Sequence, residues 1–237
     1  MATRIDIKVL STTAMKTAFE ELAPRFERST GHRLSVSLGP SLQLEQRLAD
    51  GEAADVAILS TAGARDMIAR GKIVAGSLVD VAHSALGVAV PNGAPKPDIS
   101  SAEAFKRALL DAKSIAVSKP VGGGQSGVHM AKVFQELGIA EQMAAKAKYG
   151  QGGPAGLVGL IIERGEAEIG VQQIAELMAV PGIAMVGPLP PELQCVTPFT
   201  AGIPTSASHR EAGRALIKFL TTPAAQRVIK AKGLEPL

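Results

Sequence analysis

The sequence predicts an α/β protein of two lobes, each built on a mixed, mainly parallel sheet. Three observations carry this. Apolar runs and amphipathic stretches alternate as β-α-β-α-β-α through the first seventy or so residues, the order that builds a parallel sheet with helical crossovers. The apolar core of "ADVAILST" is continuous rather than alternating, as a strand covered on both faces requires. The alternation then breaks near residues 82–84 and returns near residues 194–200. Two crossings build the first lobe from both ends of the chain, residues 1–82 with 195–237, and the second lobe from residues 83–194.

The elements follow in order. "IDIKVLS" is a strand, with Ile5, Ile7 and Val9 alternating. In "TTAMKTAFEELAPRFERSTG", Met15, Phe19, Leu22 and Phe26 recur at spacings of three and four, one face of a helix that Gly31 stops. "HRLSVSLGPS" is a strand, "LQLEQRLADGE" a helix ending near Gly51, "ADVAILST" a buried strand and "AGARDMIARG" a helix. "SALGVAVP" is a strand with no long helix before it, and "NGAPKPDIS" is a Pro-rich loop. "SAEAFKRALLDA" is a helix with Ser101 as N-cap and Glu103 in its first turn. "SIAVS" is a strand, and "GGGQSGVHMAKVFQELG" a glycine loop feeding a helix. "PAGLVGLIIERGE" is a helix, "AEIGVQ" a strand, "QIAELMAVPG" a helix, and "IAMVGPLPPELQ" a strand with a Pro-rich exit. "TPFTAGIP" is a strand, and two final helices are broken at Pro223.

Composition narrows the function. The chain of 237 residues is 46% hydrophobic and 20% charged, with a net charge of +3, ordinary for a soluble globular protein. Lysines and arginines are scattered, without the basic stripe of a nucleic-acid binder. There is no Trp and one Tyr, Tyr149, so the stacking platforms of sugar and single-strand nucleic-acid sites are missing. Cys195 is alone, which leaves no disulfide framework and no cysteine zinc site, and the four histidines show no metal spacing. No cofactor and no metal are expected. No basic-then-apolar leader opens the chain and no apolar run is long enough to span a bilayer. The expected location is cytoplasmic for the chain as written, or periplasmic if a leader was removed. A monomer is expected.

Three strand-to-helix junctions are rich in hydroxyls or glycine: "LSTTAM" with Ser11, Thr12 and Thr13, "LGPSLQ" with Pro40 and Ser41, and "GGGQSGV" with Gln125, Ser126 and Gly127. In open parallel sheets ligands bind at such strand ends. Each junction can offer free N–H groups, a hydroxyl and the positive end of a helix dipole, which together hold an anion. Ser or Thr at a helix start is more often only a cap. The glycine run asks for more, since glycine permits positive φ and close approach of backbone to a ligand. No Gly-Lys-Ser/Thr follows, and "GGGQSG" is not a dinucleotide fingerprint, so a phosphate or nucleotide loop is not expected.

Over nearly its whole length the chain resembles the molybdate-type solute-binding proteins of ABC transporters, which share the type II periplasmic-binding-protein fold. The segments that carry the likeness are "STTAMKTAFEELAPRFERSTG", "LADGEAADVAILST", "GVAVP", "SGVHMAKVFQELG", "ERGEAEIGVQQ" and "FLTTPAAQRVIKAKGLEP". The resemblance implies two Rossmann-like lobes with an anion in the cleft between them, contacts from hydroxyls and backbone amides, no metal, and an ABC permease as partner. Carried over residue by residue, the first hydroxyl falls on Ser11, Thr12 or Thr13, the second on Ser41, the second-lobe helix-start contact on Ser126, and a later backbone contact near Pro154 and Ala155. Where molybdate binders of that family carry a Tyr, this chain has Gln173. An amide both donates and accepts, which suits a carboxylic acid. "IGVQQIAEL", "VGPLPPELQ" and "FTAGI" place the chain in a branch that resembles aconitate isomerase.

Two functions follow. The first is a solute-binding protein that captures a small anion, an organic carboxylate ahead of an oxyanion such as molybdate. The alternative is an isomerase interconverting cis and trans aconitate, which needs a general base beside the substrate. The base candidates are Lys119 in the second-lobe loop, His129 one turn into its helix, and His83 at the crossing. Lys119 is the one cation within the polar loops, which speaks against a highly charged ligand and keeps the binder ahead of the enzyme. A third class, a ligand-sensing module like the effector domain of LysR-type regulators, shares the fold, but no DNA-binding helix-turn-helix precedes it.

Overall fold

The computed structural model describes residues 4–122 and 124–235; Gly123 of the glycine run and Pro236 of the closing motif lie outside them. The chain divides into two compact units, Met1–Ser84 with Thr197–Leu237, and Ala85–Val196.

Unit 1 starts with β1 (Asp6–Thr12), a 3-10 turn over Thr13–Met15 and helix α1 (Lys16–Thr30). Phe19, Leu22 and Phe26 of α1 are buried, the stripe that their spacing announces. Gly31 ends the helix in the left-handed region at φ 75°, its N–H returning to the Glu27 carbonyl. Then come β2 (Arg33–Gly39), α2 (Ser41–Ala49), β3 (Val56–Ser60), α3 (Thr61–Ala69) and β4 (Val79–Ser84). All five residues of β3 are buried, as its unbroken apolar run requires. The five-stranded sheet has the order β2-β1-β3-β10-β4, where β10 (Thr197–Gly202) follows unit 2 in the sequence. β1 is parallel to β2 and to β3, whereas β10 is antiparallel to both β3 and β4. Strands β1 to β4 therefore all run the same way.

Unit 2 contains β5 (Leu86–Pro91), α4 (Ala102–Asp111), β6 (Ile115–Ser118), α5 (Gln125–Glu136), α6 (Ala140–Lys146), β7 (Ala147–Gly150), α7 (Val158–Glu163), β8 (Ile169–Gln173), α8 (Ile174–Leu177) and β9 (Ile183–Pro188). Its sheet order is β7-β6-β8-β5-β9. β6 is parallel to β7 and β8, and β5 is antiparallel to β8 and β9, so β6 to β9 share one direction. One face packs Phe105, Leu109, Met130, Val133 and Phe134 against Val117, Ile169 and Val171, and the other packs Val158, Ile161, Ile162 and Leu177 against Ala89 and Ala116. Back in unit 1, α9 (Arg210–Leu220) and α10 (Pro223–Ala231) close the chain. Phe219 of α9 meets Phe26 of α1 edge-to-face, 5.4 Å between centroids.

Several elements differ from the sequence reading. "SALGVAVP" holds the strand expected of it, β5, but a further strand, β4, comes just before it and was not expected. Its sequence "VDVAHS" carries Asp80 and His83 and stands at a sheet edge, where a strand needs fewer apolar residues. Helix α6 and strand β7 also escaped notice, because Met143 is the one buried side chain of α6 and three of the four β7 residues are not buried. Helix α7 starts at Val158 rather than at Pro154, and α8 covers only four residues. Pro223 breaks the final helical run as its spacing suggests, standing at the start of α10 behind the capping Thr222.

Among the described residues no helix is long and apolar enough to cross a membrane. A buried carboxylate ties unit 1 together: Asp55 accepts the N–H of Lys8 at 3.0 Å and of His209 at 2.8 Å, joining the first strand to the start of α9.

The start of α5 lies against the end of β6. A Cβ added at Gly127 would meet the Ser118 carbonyl oxygen at 2.7 Å and the Lys119 carbonyl oxygen closer still, and both neighbours are backbone. Gly127→Ala is expected to cost about 2–3 kcal/mol through overpacking, read as a lower urea midpoint. An unchanged midpoint would show that the β6–α5 junction can yield.

Candidate functional site

With four strands running the same way in each unit, their carboxyl ends lie along one edge of each sheet. In unit 1 that edge carries Ser11, Thr12, Ser60 and Ser84 at the ends of β1, β3 and β4, together with Thr13 and Ser41 just beyond β1 and β2, all of them buried. In unit 2 it carries Ser118 at the end of β6, Ser126 at the start of α5, and Gln172 and Gln173 at the end of β8, again all buried. Polar side chains at this depth need partners, so what each one bonds is informative.

Some helices start behind an ordinary cap. Ser60, Ser101 and Thr222 each accept an N–H from their own helix, α3, α4 and α10, at 3.2 to 3.3 Å. The junctions singled out by sequence are built differently. The 3-10 turn after β1, helix α2 behind Pro40, and helix α5 behind Gly124 have no side-chain cap. Their hydroxyls bond elsewhere. Ser41 Oγ accepts the backbone N–H of Ser60 at 3.0 Å, so its own proton points away from that bond. Ser126 Oγ donates to Ser118 Oγ at 2.9 Å, which leaves the Ser118 proton as the outward donor of the pair. Ser11 makes only a long contact of 3.4 Å to the Thr12 carbonyl. Thr13 Oγ1 and Ser84 Oγ are buried without a hydrogen-bond partner among the described residues. Gly124 sits at φ 98°, ψ −179°, a conformation that in practice only glycine adopts, and this sets the uncapped start of α5.

The remaining expected residues are placed as follows. Gln125 is the partly buried first residue of α5, and Gly127 is buried beneath it. Gln173 is the last residue of β8, paired with Leu86 of β5. Pro154 and Ala155 are exposed in the turn before α7, where Gly156 donates its N–H to the Gly153 carbonyl. Lys119 is exposed beside Ser118. His129 Nε2 lies 2.8 Å from the Leu193 carbonyl, which makes that nitrogen the donor and leaves Nδ1 as the acceptor of the ring. The backbone of His83 is bridged on both sides to Glu235.

Sequence reasoning missed Ser60, Ser84, Ser118, Gln172 and Glu176. The first had a signal, since "LST" stands at the end of β1 and again where β3 passes into α3. Thr61 extends that edge: its hydroxyl is 2.6 Å from Thr200 Oγ1, which donates to Asp80 at 2.6 Å. Gln172 had none. Its Oε1 accepts the Val158 N–H at 2.8 Å, holding the start of α7 from the neighbouring strand end. Glu176, in the first turn of α8, is pushed up to about 7 by burial among apolar neighbours, against a hydrogen bond from the Gln172 amide that pulls it down. In unit 1 the Glu45 carboxyl is also raised, by burial first and then by the Asp66 charge, and it packs against Gly63 in the first turn of α3. No cluster of His, Cys, Asp and Glu that could hold a metal occurs among the described residues.

Comparison with known proteins agrees with this layout. Residues 7–235 match the family model of bacterial extracellular solute-binding proteins. An aconitate isomerase from a Pseudomonas species is 36% identical over 237 aligned residues, covering 98% of this chain and 88% of the relative. Among solved structures, the periplasmic molybdate-binding protein of Azotobacter vinelandii superposes with a TM-score of 0.78 at 21% identity, covering 96% of this chain and 98% of that one. The sulfate-binding protein SubI of Mycobacterium tuberculosis H37Rv gives 0.77 at 15% identity, covering 99% and 88%. At these identities the two structures speak for the fold.

Glu176 makes stability depend on pH with a definite sign. Its folded value, about 7, lies above the ordinary 4.5. Between those values the folded chain keeps a proton that the unfolded chain has lost, so stability falls as pH rises through this window. Glu176→Gln is expected to raise Tm by about 4 °C at about pH 8, with the gain gone below about pH 5. A gain that did not change with pH would remove the titration from Glu176.

Proposed function

Because the chain belongs to the bacterial extracellular solute-binding protein family, we propose that it captures a small anion, foremost an organic carboxylate, on helix starts and buried hydroxyls. The observation that carries this reading is that the uncapped turn after β1 and the uncapped starts of α2 and α5 stand among the buried hydroxyls of Thr13, Ser41, Ser118 and Ser126; the missing cap alone does not mark them, since α1, α6, α7, α8 and α9 lack one too. Uncapped N–H groups in a hydroxyl-lined setting are incomplete without an acceptor. Thr13, Ser41 and Ser118 supply hydroxyl donors, and the first turns of α2 and α5 supply N–H groups. Ser11, Thr12, Pro40, Gln125, Ser126 and Gly127 shape these three junctions, and Pro154 and Ala155 add backbone from the turn before α7.

The choice of a carboxylate over a tetrahedral oxyanion rests on Gln173. A buried amide suits an organic acid that carries a donor of its own, a hydroxyl or a retained carboxyl proton, whereas a fully ionised oxyanion only accepts. The shortage of cations at both edges, where Lys119 alone was expected and is exposed, favours a ligand of low charge. An ABC permease is the partner that a solute-binding role calls for.

A second reading is favoured by the Pseudomonas relative and by the titrating carboxyl of Glu176: isomerisation of an unsaturated carboxylic acid such as aconitate.

Thermal shift with molybdate, tungstate, sulfate and a series of di- and tricarboxylates tests the ligand class. A carboxylate is expected to give the largest shift, since a ligand at a hundred times its Kd adds about 2.7 kcal/mol. Stabilisation by molybdate alone would overturn the weight placed on Gln173. Ser41→Ala and Ser126→Ala should each weaken binding of the best ligand about tenfold, in line with the roughly 1–3 kcal/mol cost of a lost buried partner. Unchanged affinity would leave either serine a purely local role.

A further inference from the structure

We propose that Glu176 is the acid–base group of this site, taking a proton from a carbon of a bound unsaturated carboxylate and returning it to another. The proposal rests on the isomerase reading above and gives it a residue.

The position comes first. β6 and β8 are neighbours in the sheet of unit 2, and both run toward the same edge. The uncapped start of α5 follows β6, and α8 follows β8 directly, with Glu176 in its first turn. Glu176 thus stands one turn beyond the edge where the donors gather, three residues after Gln173. Gln172, which bonds its carboxyl, is buried to 2% exposure, whereas Glu176 as a residue is partly exposed.

The surroundings come second. The elements packed against α8 are β5, β8, β9 and α7. β5, β8 and β9 carry no ionisable side chain, and α7 carries only Glu163, whose carboxylate accepts the Gly182 N–H at 3.1 Å. Among the described residues no cation offsets the burial of Glu176. Gln172 bonds it as a neutral donor, and the orientation of that amide is fixed because its Oε1 already holds the Val158 N–H. A carboxyl held this way is a far better base than an exposed one. Its value of about 7 places both forms at hand near neutral pH, which is what two-way proton transfer needs. Of the other candidates, His129 spends Nε2 on the Leu193 carbonyl and Lys119 is exposed.

The chemistry balances without a co-reactant. The Glu176 carboxylate removes a proton from the methylene carbon next to the double bond. The C–H electron pair becomes the new C=C bond, and the old π pair shifts to the far carbon. That carbon takes the proton back from the neutral Glu176 carboxyl, and the double bond has moved with no gain or loss of atoms.

The test is proton exchange in deuterated water, with trans-aconitate as the probe, followed by NMR. The unsubstituted protein should place deuterium in the methylene and form cis-aconitate. Glu176→Gln should lower both rates about 10²-fold or more while trans-aconitate still raises its Tm. Exchange at an undiminished rate in Glu176→Gln would overturn the assignment and leave the isomerase reading in place. If the unsubstituted protein is stabilised by trans-aconitate but neither exchanges nor isomerises it, both fall and the binding role stands. Should Glu176→Gln fail to fold, the unsubstituted protein decides: its rate should rise through about pH 7, and a flat profile between about pH 5.5 and about pH 8.5 overturns the assignment.

Discussion

In each sheet four strands point the same way, and that common direction determines what the molecule can do. Parallel strands deliver their carboxyl ends, and the chain exits that follow, to a single edge. Serines and threonines close β1, β3 and β4 and follow β2 in unit 1, and Ser118, Gln172 and Gln173 close β6 and β8 in unit 2. An antiparallel meander would scatter the same residues over two opposite edges. The antiparallel strands β5 and β10 do not disturb the arrangement, because each lies between neighbours that run the other way.

The second theme is recognition of charge without charge. N–H and O–H groups held in place by backbone are already stripped of water and already aimed. A ligand that meets them does not have to order long flexible side chains. The two carboxyls raised by burial, Glu45 and Glu176, fit the same economy of cations, because neither has a close cationic partner strong enough to bring it down. A site of this kind is selective by proton count, since each donor left facing another donor is a penalty.

Much of the fold could be read in the sequence because burial there is periodic. Phe19, Leu22 and Phe26 mark α1, and the unbroken "VAILS" marks β3. What could not be read lies at sheet edges. β4 and β7 are edge strands, covered less on their outer sides, and their sequences "VDVAHS" and "AKYG" lack the apolar contrast that signals a strand. The junctions with Ser11, Ser41 and Ser126 were legible because small polar residues between a strand and a helix are conspicuous. Whether each was a cap was not legible, since that depends on which N–H a hydroxyl faces. His129 looked available because its spacing from Ser126 is one turn, but the residue that claims it, Leu193, is sixty-four positions away in sequence. Nothing in "IAEL" marks Glu176 out; its setting among the apolar strands β5 and β9 becomes visible only in the fold.

The place of β10 bears on how the chain is made. Unit 2 lies wholly within residues 85–196, so all of it emerges from the ribosome before the strand that finishes unit 1 does. Until Thr197–Gly202 emerges, β3 lacks its neighbour on one side and β4 has no place in the sheet. An open, five-residue apolar edge is an invitation to mispairing, and the nascent protein carries it for the whole time that unit 2 takes to appear. The last stretch of translation therefore protects the first, and a chain released early would be a finished second unit trailing an unprotected sheet.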